Sequence, residues 1–129
     1  CRVMDAGTGS GILAIAALKL GAAVAVGLDL DEASLGAARE NFSLNDLSAL
    51  VVAGSAECVA DGSADVTVAN ISGTVLLNMA DELLRVTAAE GRLILTGFTE
   101  AELRAMEQSF PGGDVSGFQE WRCLSVRLS

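Results

Sequence analysis

Histidine and tyrosine are missing from this sequence altogether, proline occurs once, and lysine and arginine together number eight against seventeen aspartates and glutamates. Without histidine, the widely separated Cys1, Cys58 and Cys123 have no partner set or paired spacing for a zinc site, and no metal site is expected. The cysteines read instead as reduced, mostly packed thiols in a cytosolic setting. The same absence removes imidazole and phenol as catalytic bases. A single proline, with 51% hydrophobic and 19% charged residues, excludes disordered and low-complexity classes. No apolar run reaches the roughly 18–20 residues of a membrane span, because Lys19, Asp29, Asp31 and later charges interrupt each candidate. The opening "CRVMDAG" lacks the basic start and apolar stretch of a secretory signal, so export has no support. Few basic residues and a net charge of -9 argue against direct nucleic-acid contact. An acidic surface can attract a basic protein, although such charge also serves solubility alone. The length, 129 residues, suits one domain.

What is present alternates between strand and helix patterns. "RVMDAG" ends a buried strand at a glycine turn. "SGILAIAALKLG" follows as a helix, apolar on nearly every face and stopped by Gly21, and is expected to pack deep against a sheet. "AAVAVGLDL" is a second strand whose continuous hydrophobicity suits a parallel strand covered on both faces. Asp31 reads as the N-cap of a helix reaching about Asn45, with Leu35, Ala38 and Phe42 on one face. "ALVVAG" and "ADVTVANI" supply strands three and four, joined by the polar "SAECVADGS". A stripe of Leu76, Met79, Ala80, Leu83 and Leu84 predicts one helix from Gly73 to Thr87. "GRLILTG" is strand five. Thr99 and Glu102 form a capping-box signature for a helix ending near Phe110 and Pro111, and two antiparallel strands follow, about Asp114–Phe118 and Trp121–Leu128. The order predicts an α/β fold with a mostly parallel sheet, an antiparallel terminal pair and helices on both faces. In such sheets ligands bind at the carboxyl ends of the strands, here those of strands one, two and four.

The loop "MDAGTGSGIL" falls at that rim. Glycines there permit positive φ and leave no β-carbon where a ligand lies against the backbone, a role for Gly7 and Gly9. A dinucleotide fingerprint, G-x-G-x-x-G, would need glycine where Ile12 stands, and a phosphate loop would need Gly-Lys-Ser/Thr, whereas the only lysine is Lys19. Asp29 ends strand two, where a carboxylate can accept both hydroxyl hydrogens of an unphosphorylated ribose. A tight structural turn accounts for the glycines alone; glycines with Asp29 favour a nucleoside-bearing ligand, with NAD as the competing cofactor.

"DAGTGSGILAIAALKLGA", "GLDLDEASLGAARENFSLND" and "ADVTVANI" together resemble the class I S-adenosylmethionine-dependent methyltransferases. Within them the chain is most similar to the PrmA-type enzymes, which methylate a ribosomal protein. The resemblance covers nearly the whole chain, including "GRLILTG" and "EWRCLSVRL". The D-x-G-x-G-S-G core is common to the superfamily; "SGILAIAALKLGA", with "VANI" in place of N-P-P-Y, is more specific. The resemblance implies a Rossmann-like sheet and S-adenosyl-L-methionine as cofactor. It implies that Asp5, Gly7 and Gly9 line the methionine part, that Asp29 binds the ribose, that Ser55 meets the adenine edge, and that Asn70, the catalytic candidate, lies beside the reactive methyl. Thr8 stands where family members often carry cysteine, a small-for-small exchange expected to be harmless. The implied acceptors are lysine amino groups of a basic ribosomal protein in the cytoplasm. Alternatives are another protein, such as an electron-transfer flavoprotein subunit, a small molecule, or a cofactor-binding module without turnover. The family's substrate-recognition domain and threonine-containing cofactor loop precede strand one. This chain begins inside that strand, so residues 1–129 are expected to be the methyltransferase domain without those parts.

Overall fold

The computed structural model describes residues 1–48 and 50–129. In chain order the elements are β1 (Arg2–Ala6), α1 (Ile12–Lys19), β2 (Val24–Asp29), α2 (Glu32–Leu44), β3 (Leu50–Ala53), β4 (Ala64–Asn70), α3 (Gly73–Asn78), α4 (Ala80–Val86), β5 (Thr87–Thr99), α5 (Leu103–Ser109), β6 (Asp114–Phe118) and β7 (Trp121–Arg127). The strands make one sheet in the order β3-β2-β1-β4-β5-β7-β6. The first five strands pair in parallel, while β7 runs antiparallel to β5 and to β6. This is the mostly parallel α/β sheet with an antiparallel end that the strand-helix alternation predicts. The strand order reverses between β1 and β4, and that switch point opens the crevice at their carboxyl ends.

Strand alternation sends side chains to two cores. Val3 and Ala25 meet Ala14 of α1 and Ala38 and Phe42 of α2 on one face. On the other face Ala69, Leu93, Leu95, Phe98 and Leu124 meet Leu76, Leu83, Met106 and Phe110 from α3, α4 and α5. Asp31 caps α2 by accepting from the Ala33 amide, and the Thr99–Glu102 capping box is formed, opening a short 3-10 turn that leads into α5.

Four expectations need correction. The predicted helix 73–87 is two helices, broken at Met79, whose φ of -98° and ψ of 5° depart from helical values. Leu76 and Leu83 face the same core from both helices, so the apolar stripe continues through a break that neither glycine nor proline marks. β5 starts at Thr87 instead of Gly91, because an irregularity carries the chain from the Ala64–Thr87 pair to the Val66–Arg92 pair, with Glu90 at a φ of 65°. α1 is not deeply enclosed: Ala14 is its one buried residue, while Ile12 is 67% and Leu20 88% exposed. A single helix face meets the sheet, where buried Ala14 packs beside half-buried Ile15, Ala17 and Leu18. The cysteines are free, but Cys1 and Cys58 are exposed and Cys123 is only half-buried. In "ALVVAG", Ala49 lies outside the described residues. No helix among the described residues is long and apolar enough to cross a membrane.

Phe98 is fully buried, and Phe98→Ala should destabilise the fold by about 3–5 kcal/mol, read as a lower urea midpoint at unchanged slope. Ile12→Ala, on the exposed face of α1, should stay within about 0.5 kcal/mol of the native value in the same measurement.

Candidate functional site

The glycine loop between β1 and α1 is held by a few hydrogen bonds that also shape the rim. The Thr8 amide donates to the Leu28 carbonyl of β2 at 2.8 Å, and the Gly11 amide closes back on the Thr8 carbonyl at 2.8 Å. The Gly9 amide donates to Asp29 Oδ2 at 2.9 Å, and the Asp31 amide to Asp29 Oδ1 at 2.9 Å. Asp29 therefore anchors the loop and the start of α2 while each oxygen keeps a further lone pair. Gly7 has a φ of +72°, and a β-carbon there would stand 2.7 Å from Ile71 Cγ2, so its bare α-carbon keeps the loop and the β4 end in contact.

Asp5 lies beneath this loop. It is 2% exposed and accepts a hydrogen bond from Thr8 Oγ1 at 2.8 Å. Burial pushes its carboxyl above the ordinary aspartate range; the Thr8 hydroxyl and the Ala14 amide of α1 oppose that shift, and the charge of Asp29 adds to it. Thr8 is more than a small-for-small exchange, since its hydroxyl is a buried partner of Asp5. Its side chain fills the space at Gly27, where a β-carbon would meet Thr8 Oγ1 at 2.8 Å.

Gly7, Asp29 and Ser55 line one cleft of about 140 Å3, together with Leu28, Leu30, Ile71, Val75 and Met79. Asp29 and Ser55 are the two polar side chains of that lining. Asp5 and Gly9 do not line it: Asp5 supports the loop from below, and Gly9 acts through its bond to Asp29. Asn70 lies in an adjoining hollow with Ser72, Thr96, Gly97 and Trp121, and Ile71 borders both spaces. The hollow depends on Gly97, which sits at a register shift of β5 with a φ of +92°; a β-carbon there would stand 2.9 Å from Asn70 Oδ1.

Residues 1–129 match, over their whole extent, the family described as ribosomal protein L11 methyltransferase (PrmA). The chain belongs to that family. A ribosomal protein L11 methyltransferase of Geobacter sulfurreducens (strain ATCC 51573 / DSM 12127 / PCA) is 42% identical over 98% of this chain and 44% of its own length. The chain spans about two fifths of the length of the curated relatives it matches. A crystal structure of ribosomal protein L11 methylase from Lactobacillus delbrueckii subsp. bulgaricus superposes with a TM-score of 0.91 at 34% identity, covering 99% of this chain and 70% of that one. The 16S rRNA N2 G1207 methyltransferase of T. thermophilus, solved in complex with AdoMet and guanosine, shares the fold, with a TM-score of 0.80 at 21% identity over 99% of this chain and 37% of that one.

For a PrmA-family chain, the cleft walls were the part least visible in the residues. Met79 reads as a helix-stripe position and Ile71 and Val75 carry no site signal of their own, and only their place after β4 puts the three at the rim. Gly97 carried a usable signal, a glycine closing the apolar run "GRLILTG".

Because the native Asp5 carboxyl binds its proton more tightly than the unfolded one, the native state holds more protons between the two values, and stability falls as pH rises through that window. Measured by urea unfolding over a pH series, the native chain should lose stability relative to an Asp5→Asn variant from the ordinary aspartate range up to the raised value, and hold a constant difference above it. A difference that moves in the native chain's favour over that window would contradict the assigned environment.

Proposed function

We propose that residues 1–129 form an S-adenosyl-L-methionine-binding methyltransferase domain that acts on an amino group, a lysine side chain, of a basic protein. Ribosomal protein L11, named in the family's description, is the first candidate acceptor, which would place the reaction in the cytoplasm. The observation that carries this reading is the joining of the glycine loop to Asp29 on the wall of a cleft that borders the Asn70 hollow.

The residues present fit such a cofactor. Asp29 is half-buried, and its remaining lone pairs suit the two hydroxyls of an unmodified ribose. Leu28, Leu30, Ile71, Val75 and Met79 offer apolar walls to a flat base, with Ser55 at its edge. Gly7, with no side chain, lets the loop close against Ile71 on the cleft wall that would face the methionine part, and buried Asp5 braces that loop from below through Thr8.

When bound, S-adenosyl-L-methionine supplies an electrophilic methyl group on a sulfonium. The work left to this chain is alignment and desolvation. Asn70 Oδ1 accepts an N–H of the incoming amine and turns its lone pair toward the cleft. A lysine amine has an ordinary pKa near ~10.4, so it must lose a proton before it reacts, and displacing water from the hollow as the amine enters favours the neutral form. With neither histidine nor tyrosine in the chain, water takes the proton.

Calorimetric titration with S-adenosylhomocysteine tests the reading. The native chain should bind it, and more tightly than nicotinamide dinucleotides. Asp29→Ala, with folding verified by circular dichroism, should weaken binding by roughly 10–100-fold, the size of a lost hydrogen bond to a charged group. No binding by the native chain, or undiminished binding by the variant, would overturn it.

A further inference from the structure

The segment between β3 and β4 supplies Gly54, Ser55 and Ala56 to the cleft wall, yet its own structure is a single 3-10 turn, Ala56–Cys58. Within the segment, the Cys58 amide donates to the Ser55 carbonyl and the Val59 amide to the Ala56 carbonyl, both at 3.0 Å. Ala56 is fully buried against Met4, Leu28, Ala64 and Val86, but apolar packing leaves the main-chain carbonyls of so short a turn to be held by other groups. That polar restraint comes from α4. Arg85 Nη2 donates to the Ala56 carbonyl at 3.0 Å, and Nη1 donates to the Val59 carbonyl at 2.8 Å and to Asp61 Oδ1 at 2.5 Å. Glu82 Oε2 accepts from Nε at 2.9 Å and from Nη2 at 2.6 Å, which fixes the guanidinium on its own helix. The Arg85 carbonyl in turn accepts from the Gly62 amide at 2.9 Å. One planar fork thus grips both ends of the turn, something a lysine ammonium cannot reproduce. α4 starts immediately after Met79, which also lines the cleft, so two parts of the cleft wall are referenced to one helix.

We propose that Arg85 is a positioning residue for purine recognition: by holding the Ala56–Val59 turn it keeps Ser55 and the neighbouring main-chain groups where they can distinguish an adenine edge from other bases. This rests on the reading of the cleft as an adenosyl site. Arg85 touches no ligand in this scheme and does not line the cleft. Sites built to hydrogen-bond a particular edge reject analogues that lack it only while those groups stay fixed. Loss of Arg85 should therefore erode selectivity for the base and leave the Asp29 side of the cleft intact.

Two measurements on the full chain test this, using Arg85→Ala, Arg85→Lys in case the alanine variant fails to fold, and Asp61→Ala as the control that leaves both carbonyl contacts in place. Hydrogen exchange needs no ligand: the Cys58 and Val59 amides should exchange roughly tenfold faster or more in either Arg85 variant, with the amides of β1 and β4 unchanged. Calorimetry then compares S-adenosylhomocysteine with S-inosylhomocysteine, whose purine carries an oxygen in place of the amino group. The native chain and Asp61→Ala should prefer the adenine ligand. The Arg85 variants should lose most of that preference by weakening the adenine ligand alone. Unchanged exchange in the turn, or an equal loss of affinity for both ligands, would overturn the proposal. Failure of the native chain to bind either ligand would overturn the cofactor reading and this proposal with it, whereas native binding with unaltered selectivity in the variants would overturn this proposal only.

Discussion

The carboxylate of Asp29 is the constraint on which the rim of this sheet depends. It closes β2, receives the Gly9 amide from the glycine loop and receives the Asp31 amide at the start of α2, each at 2.9 Å. Those bonds require β1 and β2 to be neighbours in parallel register, and they are, with Ala6 opposite Leu28. They also require the loop to turn back over β2, which the Thr8–Leu28 main-chain bond secures. Loop position, strand adjacency and helix entry are therefore one arrangement, in which a half-buried carboxylate is kept fixed and facing a cleft. A charged group at the end of an apolar strand would be costly without such partners.

The rim is mounted on parts of the fold with different mechanical roles. Beneath β4, β5 and β7 lies a dry core in which Leu93, Leu95, Phe98, Leu124, Leu76, Leu83, Met106 and Phe110 are fully buried. β4 emerges from it carrying Asn70, and β5 carries Gly97 alongside, so the hollow at Asn70 inherits the rigidity of the core. On the other side of the switch point the cleft wall formed by Gly54, Ser55 and Ala56 is backed by the smaller cluster that Ala56 joins, and the carbonyls of its turn are tied down by Arg85. Asp5 and Thr8 act similarly under the loop, a buried pair that joins β1 to the turn above it.

Much of this architecture was legible in the residues. Continuous apolar strands, the glycine turn after β1, the cap at Asp31 and the capping box at Thr99 each have a local physical cause and each is found in place. Periodicity failed where two helices share one stripe, as at Met79, because a hydrophobic pattern records which side faces the core and not where the backbone dihedrals depart from the helix. It failed again for α1, where hydrophobicity on every face suggested enclosure that one sheet contact cannot supply. At the site, Gly7, Asp29 and Ser55 do share a cleft, while Asp5 lies beneath the loop, Gly9 acts through its bond to Asp29 and Asn70 occupies the adjoining hollow. The apolar walls and the grip of Arg85 were not legible, since both arise from residues distant in the chain and meet only through the topology.

The central claim is that the glycine loop and Asp29 present one binding surface to an adenosyl ligand. Amide chemical-shift mapping of the uniformly nitrogen-labelled chain during titration with S-adenosylhomocysteine tests it most directly. The account predicts saturable shifts concentrated at Gly7, Gly9, Asp29, Leu30, Ser55 and Ile71, with β6 and the C-terminal end of α2 unmoved. Shifts confined to those remote elements, or no shifts at saturating ligand, would contradict it.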